Sequence, residues 1–300
     1  MHRNSTRLLA GALVAATLVV AAWIWSDAGT RSIAPEATEG ATATRARAEP
    51  ASRVAPPALP APPAVPAIVL ARDPGIPLAD HVDRLLATRA PQDAYTAYLL
   101  VSQCANFNRH HELEFHDDKS GAKRGLNPEE RRHMAAMCGQ MTERERLARL
   151  DYLAAAVNGG VPGAVLAHVA EGPFGDPSAL TTRPDDPLVR EWKASAVEQL
   201  TRAAEAGDQA TLTVWGIQTL YGSDLAPKDP VQGYAYLVAS VILEAERLGL
   251  GTLSAQAQAD GSPLLNALAG ELTQQQRAAA IAAGRQLAGR VKARRQREQP

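Results

Sequence analysis

The stretch that decides the fold runs from Ala203 to Ser240 and reads AAEAGDQATLTVWGIQTLYGSDLAPKDPVQGYAYLVAS. Its periodicity predicts three helices separated by two breaks. The first helix ends at Gly207, where a left-handed residue is favoured. The second ends at Tyr221, and the third begins after Asp229. The apolar positions of the second and third helices are Leu212, Trp215, Gly216, Leu220, Tyr234, Tyr236 and Leu237.

The chain before this stretch has the same helical periodicity. Leu78 to Ala87 carries an apolar stripe, and Pro91 is expected to open the next helix. Asn127 and Pro128 are typical of a helix start, and Thr142 to Glu145 fits a capping box. The residues expected on the buried sides of these helices are Leu78, Val82, Leu85, Leu86, Tyr95, Tyr98, Leu99, Ser102, Met134, Met137, Cys138, Leu147, Leu150 and Leu153.

Breaks and chain ends complete the prediction. Asn106 to Leu126 is polar and rich in helix breakers, which predicts a loop, and Phe174 to Pro187 is expected to be an insertion. The basic residues between Arg285 and Arg297 are expected to be cations at a helix C-terminus followed by a solvated tail. Since no run alternates with period two, the sequence predicts an all-α fold.

Internal repetition gives the most specific pattern. The stretch resembles a Sel1-like repeat, a short relative of the tetratricopeptide repeat. The matching positions are Ala203, Ala204, Gly207, Asp208, Gly216, Tyr221, Asp229 and Tyr236. It departs from the family at Gly222, which follows Tyr221 directly, at Gly233, where the family prefers Ala, and at Ser240. A weaker copy covers Glu145 to Ala204.

The resemblance implies an α/α superhelix of antiparallel helix pairs. In that family the concave face usually binds proteins or peptides, and no catalytic residues belong to the repeat. Trp215 is expected to be a core residue. Tyr234 and Tyr236 are two positions apart on one helix, so one is expected in the core, and the other is a candidate to line the groove.

The N-terminus carries an apolar run of 18 residues, Leu8 to Trp25, without a charge. Such a helix is about 27 Å long, close to the hydrocarbon thickness of about 30 Å. The basic side chains of Arg3 and Arg7 predict a cytoplasmic stub (residues 1–7), a single transmembrane signal-anchor helix (8–26) and export of the remainder. The alternative is a cleaved signal peptide that releases a soluble periplasmic protein.

Residues 28–77 hold ten of the chain's 21 prolines and no Phe, Trp or Tyr. This composition predicts a disordered Pro/Ala-rich linker, partly extended as polyproline II. The remainder is divided into an N-terminal helical region (78–142), a Sel1-like repeat region (143–245) and C-terminal capping helices with a basic tail (246–300). The family resemblance and the Ala/Arg-rich composition favour a bacterial inner-membrane protein with a periplasmic domain.

Charge and cysteine content narrow the classes of partner. The net charge is -1 with a pI near 6.7, so no global basic field attracts nucleic acid. The two cysteines, Cys104 and Cys138, are expected to form a disulfide in an oxidising compartment.

The segment from His110 to Asp118 is the only dense cluster of metal-capable side chains in the sequence. A zincin motif would need His at position 115, where Phe115 stands. His110, His111 and His116 remain the candidates for a metal-assisted hydrolase. A zinc site of Cys104, His110, His133 and Cys138 matches no standard spacing. We therefore expect a solvated polar loop here, with no metal or cofactor bound.

Three functions follow from these patterns. The favoured one is a non-enzymatic, membrane-tethered scaffold in the periplasm whose groove holds a partner protein or envelope component. The alternatives are the metal-assisted hydrolase and a purely structural envelope subunit.

Overall fold

A computed structural model describes residues 68–110, 115–116, 123–249 and 251–298. These residues form an all-α fold, as the sequence predicts. The twelve α-helices are α1 (Leu78–Ala87), α2 (Pro91–His110), α3 (Pro128–Cys138), α4 (Glu143–Asn158), α5 (Ala164–Glu171), α6 (Ala179–Thr182), α7 (Pro187–Ala206), α8 (Gln209–Tyr221), α9 (Pro230–Arg247), α10 (Thr252–Asp260), α11 (Pro263–Leu268) and α12 (Gln274–Glu298). There are also two 3₁₀ turns, η1 (Pro173–Gly175) and η2 (Ala269–Glu271), and two antiparallel two-residue strands, β1 (Phe115–His116) and β2 (Lys123–Arg124).

The predicted helix starts are confirmed at the level of single hydrogen bonds. The side chain of Asn127 accepts from the backbone amides of Glu129 and Glu130, and the Glu130 carboxylate accepts from the Asn127 amide. Thr142 and Glu145 form the same reciprocal box at the start of α4. Such caps satisfy amides that have no partner inside the helix.

The loop predicted from Asn106 is wrong over its first five residues, because α2 continues to His110. Phe107 explains the extension, since its ring is buried in a core that also contains Cys104, Leu100 and Val101. Burial of an aromatic side chain outweighs the weak helix propensity of the neighbouring polar residues.

Residues 68–77, which the sequence assigns to the linker, are part of the folded chain. Val69 is fully buried in the core between α1, α2 and α3. We call Ile68–Pro77 the arm. The preceding linker residues and the predicted transmembrane run lie outside the described residues. No helix among those that the structure describes combines the length and apolar character needed to cross a membrane.

The basic C-terminus is part of α12, which stays helical to Glu298, so the predicted cations at a helix C-terminus are present in the described residues. Arg295 donates to the carbonyl of Gly207 at 2.9 Å, and Arg294 donates to that of Glu205 at 3.3 Å. The two guanidinium groups thus bind the carbonyl end of α7, where cations are favoured by the helix dipole.

Helix α9 lies against both α8 and α12 at very short range, and glycine makes this approach possible. A Cβ added to Gly233 of α9 would stand 2.3 Å from the backbone nitrogen of Leu220 and 2.6 Å from the carbonyl oxygen of Gly216. A Cβ on Gly284 of α12 would meet the carbonyl oxygen of Ala235 at 2.6 Å. The three helices therefore pack backbone against backbone.

Helix α5 connects two parts of the hydrophobic interior. Its first residue, Ala164, packs with Tyr98, Leu153 and Ala156 of the N-terminal helices. Three of its other residues (Val165, Leu166 and Val169) belong to the large core that α7, α8, α9 and α12 share. Helix α5 therefore joins the core of the N-terminal helices to the large core of α7, α8, α9 and α12.

Candidate interaction surface

Three positions of the predicted repeat motif, Gly207, Asp208 and Asp229, lie at helix ends. Gly207 ends α7 with φ of 81°, the left-handed conformation that the sequence predicts. Asp208 caps α8 by accepting from the Thr211 amide at 2.7 Å, and it also accepts from the Gly163 amide at 3.2 Å. Asp229 caps α9 in the same way. The aspartates of the motif therefore stabilise the architecture.

The other motif positions fill the interior, with one exception. Ala204, Gly216 and Tyr236 are buried, Ala203 is half-buried, and Tyr221 is exposed at the end of α8. The expectation that Tyr234 or Tyr236 lines a groove is wrong, because both are almost fully buried. The Tyr234 hydroxyl donates to the carbonyl of Leu265, so α11 covers this side of α9. Trp215 is a core residue, as expected.

The predicted disulfide is present between Cys104 of α2 and Cys138 of α3, with the two Cα atoms 4.8 Å apart. The bond uses both thiols, so the alternative zinc site that needs Cys104 and Cys138 as thiolate ligands is not formed. His110 ends α2 and His116 lies in β1, whereas His111 is outside the described residues. Over the part of the chain that the structure describes, no three metal-capable side chains come together.

Large apolar side chains are exposed at one end of the α4, α5 and α7 assembly. We call Leu147, Phe174 and Leu188 the apolar patch; their exposed fractions are 61%, 62% and 59%. Leu147 was expected to be buried, and this prediction is wrong. The apolar stripe of α4 is turned so that Leu153 enters the core while Leu147 faces solvent.

The three members of the patch are brought to the same end by neighbouring contacts. A Cβ on Gly175, the residue after Phe174, would lie 3.1 Å from Leu150, which is one turn along α4 from Leu147. Leu188 lies one turn before Trp192, whose ring centroid is 5.3 Å from that of His168 in the last turn of α5. The turn η1 follows that end of α5 and packs against α7.

Phe174 adopts a strained backbone. Its φ of 57° and ψ of 25° are left-handed, and the glycines on either side of Pro173 and Phe174, at positions 172 and 175, have φ of 73° and 81°. A non-glycine residue in this region costs about 1–2 kcal/mol. The chain bears this cost while the Phe174 ring stays mostly in solvent, so core packing does not explain the conformation.

A largely buried polar cluster lies at the end of α5, directly before η1. The carboxylate of Glu171, at the end of α5, accepts from the Tyr98 hydroxyl at 3.0 Å and pairs with Arg149 at 2.8 Å. Burial, together with the Glu171 charge, raises the pKa of Tyr98 well above its usual value. Tyr98 therefore stays protonated and remains a donor to Glu171. This cluster ties α2, α4 and α5 together directly before the Phe174 turn.

His168, one turn before Glu171 on α5, lies against the half-buried ring of Trp192. Desolvation lowers the pKa of His168 below 6.5, and the Glu171 carboxylate partly opposes this effect. The imidazole is therefore neutral at neutral pH and packs as an aromatic spacer between α5 and α7.

Sequence reasoning did not single out the Phe174 turn, although a signal was present. The sequence Gly172-Pro173-Phe174-Gly175 places one aromatic residue inside a pair of glycines. Such spacing is typical of a tight turn with several positive φ angles.

No family model, curated protein or solved structure matches this chain.

Proposed function

We propose that this chain is a membrane-tethered interaction module of the bacterial periplasm, and that it binds an apolar segment of a partner protein on the apolar patch. The observation that carries this proposal is Phe174. An exposed aromatic ring in a strained turn, fixed to a buried polar base, is a costly arrangement for folding alone. Exposed aromatic side chains on a rigid support are frequent anchors of protein interfaces.

The contacts around Phe174 favour a binding surface that is already formed before the partner binds. Gly175 packs on Leu150 and lies next to the Arg149 guanidinium. Arg149 in turn forms an ion pair with Glu171, which directly precedes Gly172. A side chain presented in one conformation loses little entropy when a partner binds. Leu147 and Leu188 are the exposed apolar side chains on the neighbouring elements α4 and α7.

The repeat-like part of the proposal is supported by two helix ends. Gly160 and Gly207 both have positive φ, and in each case the next residue closes the helix with the same hydrogen bond. Val161 donates to the carbonyl of Ala156, and Asp208 donates to that of Ala203. Two equivalent junctions, one after α4 and one after α7, favour an α/α superhelix similar to Sel1-like arrays.

Membrane tethering is proposed from the sequence. The run from Leu8 to Trp25 has the length and the flanking charges of an anchor, and the Pro/Ala-rich linker provides a spacer. A disulfide in the folded part is in keeping with an oxidising compartment.

The test uses the full chain, crosslinked in intact cells and purified through a C-terminal tag. The wild-type protein should capture a defined partner, and Phe174→Ala should reduce this capture at least tenfold. The matched control is Leu248→Ala, which removes another exposed apolar side chain at the end of α9. If Phe174→Ala and Leu248→Ala capture the same proteins as the wild type in equal amounts, the proposed binding surface is wrong.

A further inference from the structure

The arm is held by its main chain as well as by its side chains. The Val69 amide donates to Oε1 of Gln103 at 3.2 Å, and the Val69 carbonyl accepts from Nε2 of His133 at 3.1 Å. Farther along, Nε2 of His81 donates to the carbonyl of Asp73 at 3.1 Å. Because side chains from α1, α2 and α3 bind the arm's peptide groups, these helices form a peptide groove. We call it the arm groove.

The apolar fit of the arm matches its polar contacts. Val69 is fully buried in the core formed by α1, α2 and α3, and Ile68 and Leu70 pack against the same core. A buried branched side chain, with both of its backbone groups paired, combines affinity with sequence selectivity.

The walls of the groove are connected independently of the arm. Cys104 directly follows Gln103 in α2, and Cys138 lies five residues after His133 in α3. The disulfide therefore crosslinks the two helices that bind Val69. We expect the groove to keep its form when the arm leaves it.

The arm is organised to move as a unit. The Arg72 amide donates to the Val69 carbonyl at 3.0 Å, and the Ile76 amide donates to the Asp73 carbonyl at 3.2 Å. Both bonds close within the arm, whereas the carbonyl of Pro77, its last residue, accepts from the Asp80 and His81 amides at the start of α1. The hinge on which the arm would turn is Pro77, directly before α1. Short hinges of this kind favour exchange of a terminal segment between copies.

We propose that the arm groove accepts the arm of a second copy of this chain, so that neighbouring copies exchange arms. The arm is the one peptide for which the structure demonstrates the fit. Sixty-seven residues precede it, so its far end is joined to a long stretch of chain. An exchanged pair makes each arm contact between chains instead of within one chain, so the two arrangements have nearly equal contact energies.

The groove is tested with a fluorescent peptide of residues 66–77, PAIVLARDPGIP, added to the full chain. Val69→Asp should expel the chain's own arm and free the groove for the peptide. The wild-type chain should bind the peptide at least tenfold more weakly than the Val69→Asp chain does, because its own arm occupies the groove. Leu248→Asp is the matched control and should behave like the wild type. A Val69→Asp chain with native circular dichroism and no peptide binding would refute the groove.

Exchange itself is tested by mixing two differently tagged full-length populations. After incubation at high concentration and dilution, each tag should co-purify the other. Val69→Asp in both populations should abolish this co-purification. Co-purification that persists with Val69→Asp in both populations, or that is absent from the wild-type mixture, would contradict exchange. Phe174→Ala should leave the result unchanged, which separates this inference from the proposed function.

Native-state hydrogen exchange covers the case in which Val69→Asp does not fold. In the wild-type chain, the Val69 amide, whose hydrogen bond to Gln103 breaks when the arm leaves, should exchange through an opening that leaves the α2 amides protected. If the arm exchanges only together with α2, the groove never opens in the folded chain and the inference fails.

Discussion

Replacement of Gly233 by Ala tests the backbone packing of α8 on α9. The new Cβ would stand 2.3 Å from the Leu220 nitrogen and 2.6 Å from the Gly216 carbonyl oxygen. A favourable separation for such atoms is about 3.5 Å, so the helices must move apart by about 1 Å. Both contacted atoms belong to the backbone and cannot rotate away.

Two effects of opposite sign set the magnitude. Ala is favoured over Gly inside a helix by about 1 kcal/mol. Overpacking of a well-packed interior costs about 1–3 kcal/mol, and the backbone contacts place Gly233 at the upper end. We therefore expect Gly233→Ala to lower the free energy of unfolding by about 2 kcal/mol. The resemblance to Sel1-like repeats would predict the reverse, since that family prefers Ala at this position.

Urea unfolding followed by circular dichroism measures the change, with a matched substitution as reference. Gly289 is an exposed position of α12, and a Cβ there meets nothing within 4 Å. Gly289→Ala should therefore raise the free energy of unfolding by about 0.5–1 kcal/mol. Gly216→Ala should fall between the two, because its Cβ would stand 2.9 Å from Cγ of Leu237 and 3.1 Å from the carbonyl oxygen of Gly233, longer than the contacts at Gly233. A Gly233→Ala chain as stable as Gly289→Ala would refute the packing argument.

Four further perturbations test the cores and the surface. Reducing the disulfide, which spans 34 residues, should lower the free energy of unfolding by about 4 kcal/mol, measured by urea titration with and without reductant. Tyr98→Phe removes the donor to Glu171 and should cost about 2 kcal/mol, whereas exposed Tyr221→Phe should change stability by less than about 0.5 kcal/mol. Because burial lowers the pKa of His168, the neutral form is favoured in the folded state. The contribution of His168 to the free energy of unfolding should be fully present above pH 6.5 and should be lost as the pH drops through 6.5 towards and past the folded pKa. His168→Gln should flatten that part of the profile. Phe174→Gly should raise the unfolding temperature through a gain of about 0.5–1 kcal/mol from relieved strain, yet weaken partner capture.

Local sequence patterns predict most of the helix boundaries. The boxes at Asn127 and Thr142, and the left-handed end at Gly207, depend on neighbours within four residues, so the sequence contains all the information needed. The end of α2 and the burial of Val69 depend instead on contacts between distant segments. Periodicity has no access to those contacts, and composition placed Val69 in a linker.

The candidate site was less accessible to sequence reasoning. The exposure of Leu147 depends on how α4 is turned about its axis, which an apolar stripe alone does not determine. Both Tyr234 and Tyr236 are buried because α9 has neighbours on nearly every side. The glycines around Phe174 are visible in the sequence, but the exposure of its ring depends on how η1 packs against α4 and α7.

The disulfide between α2 and α3 has a consequence for proteolysis. It encloses the stretch that contains β1 and β2, so a protease that cuts the backbone once between the two cysteines would leave both fragments covalently joined. Such a nicked protein would run as one band on a denaturing gel without reductant and as two bands with it. A single cut in this stretch would therefore break the backbone without releasing a fragment.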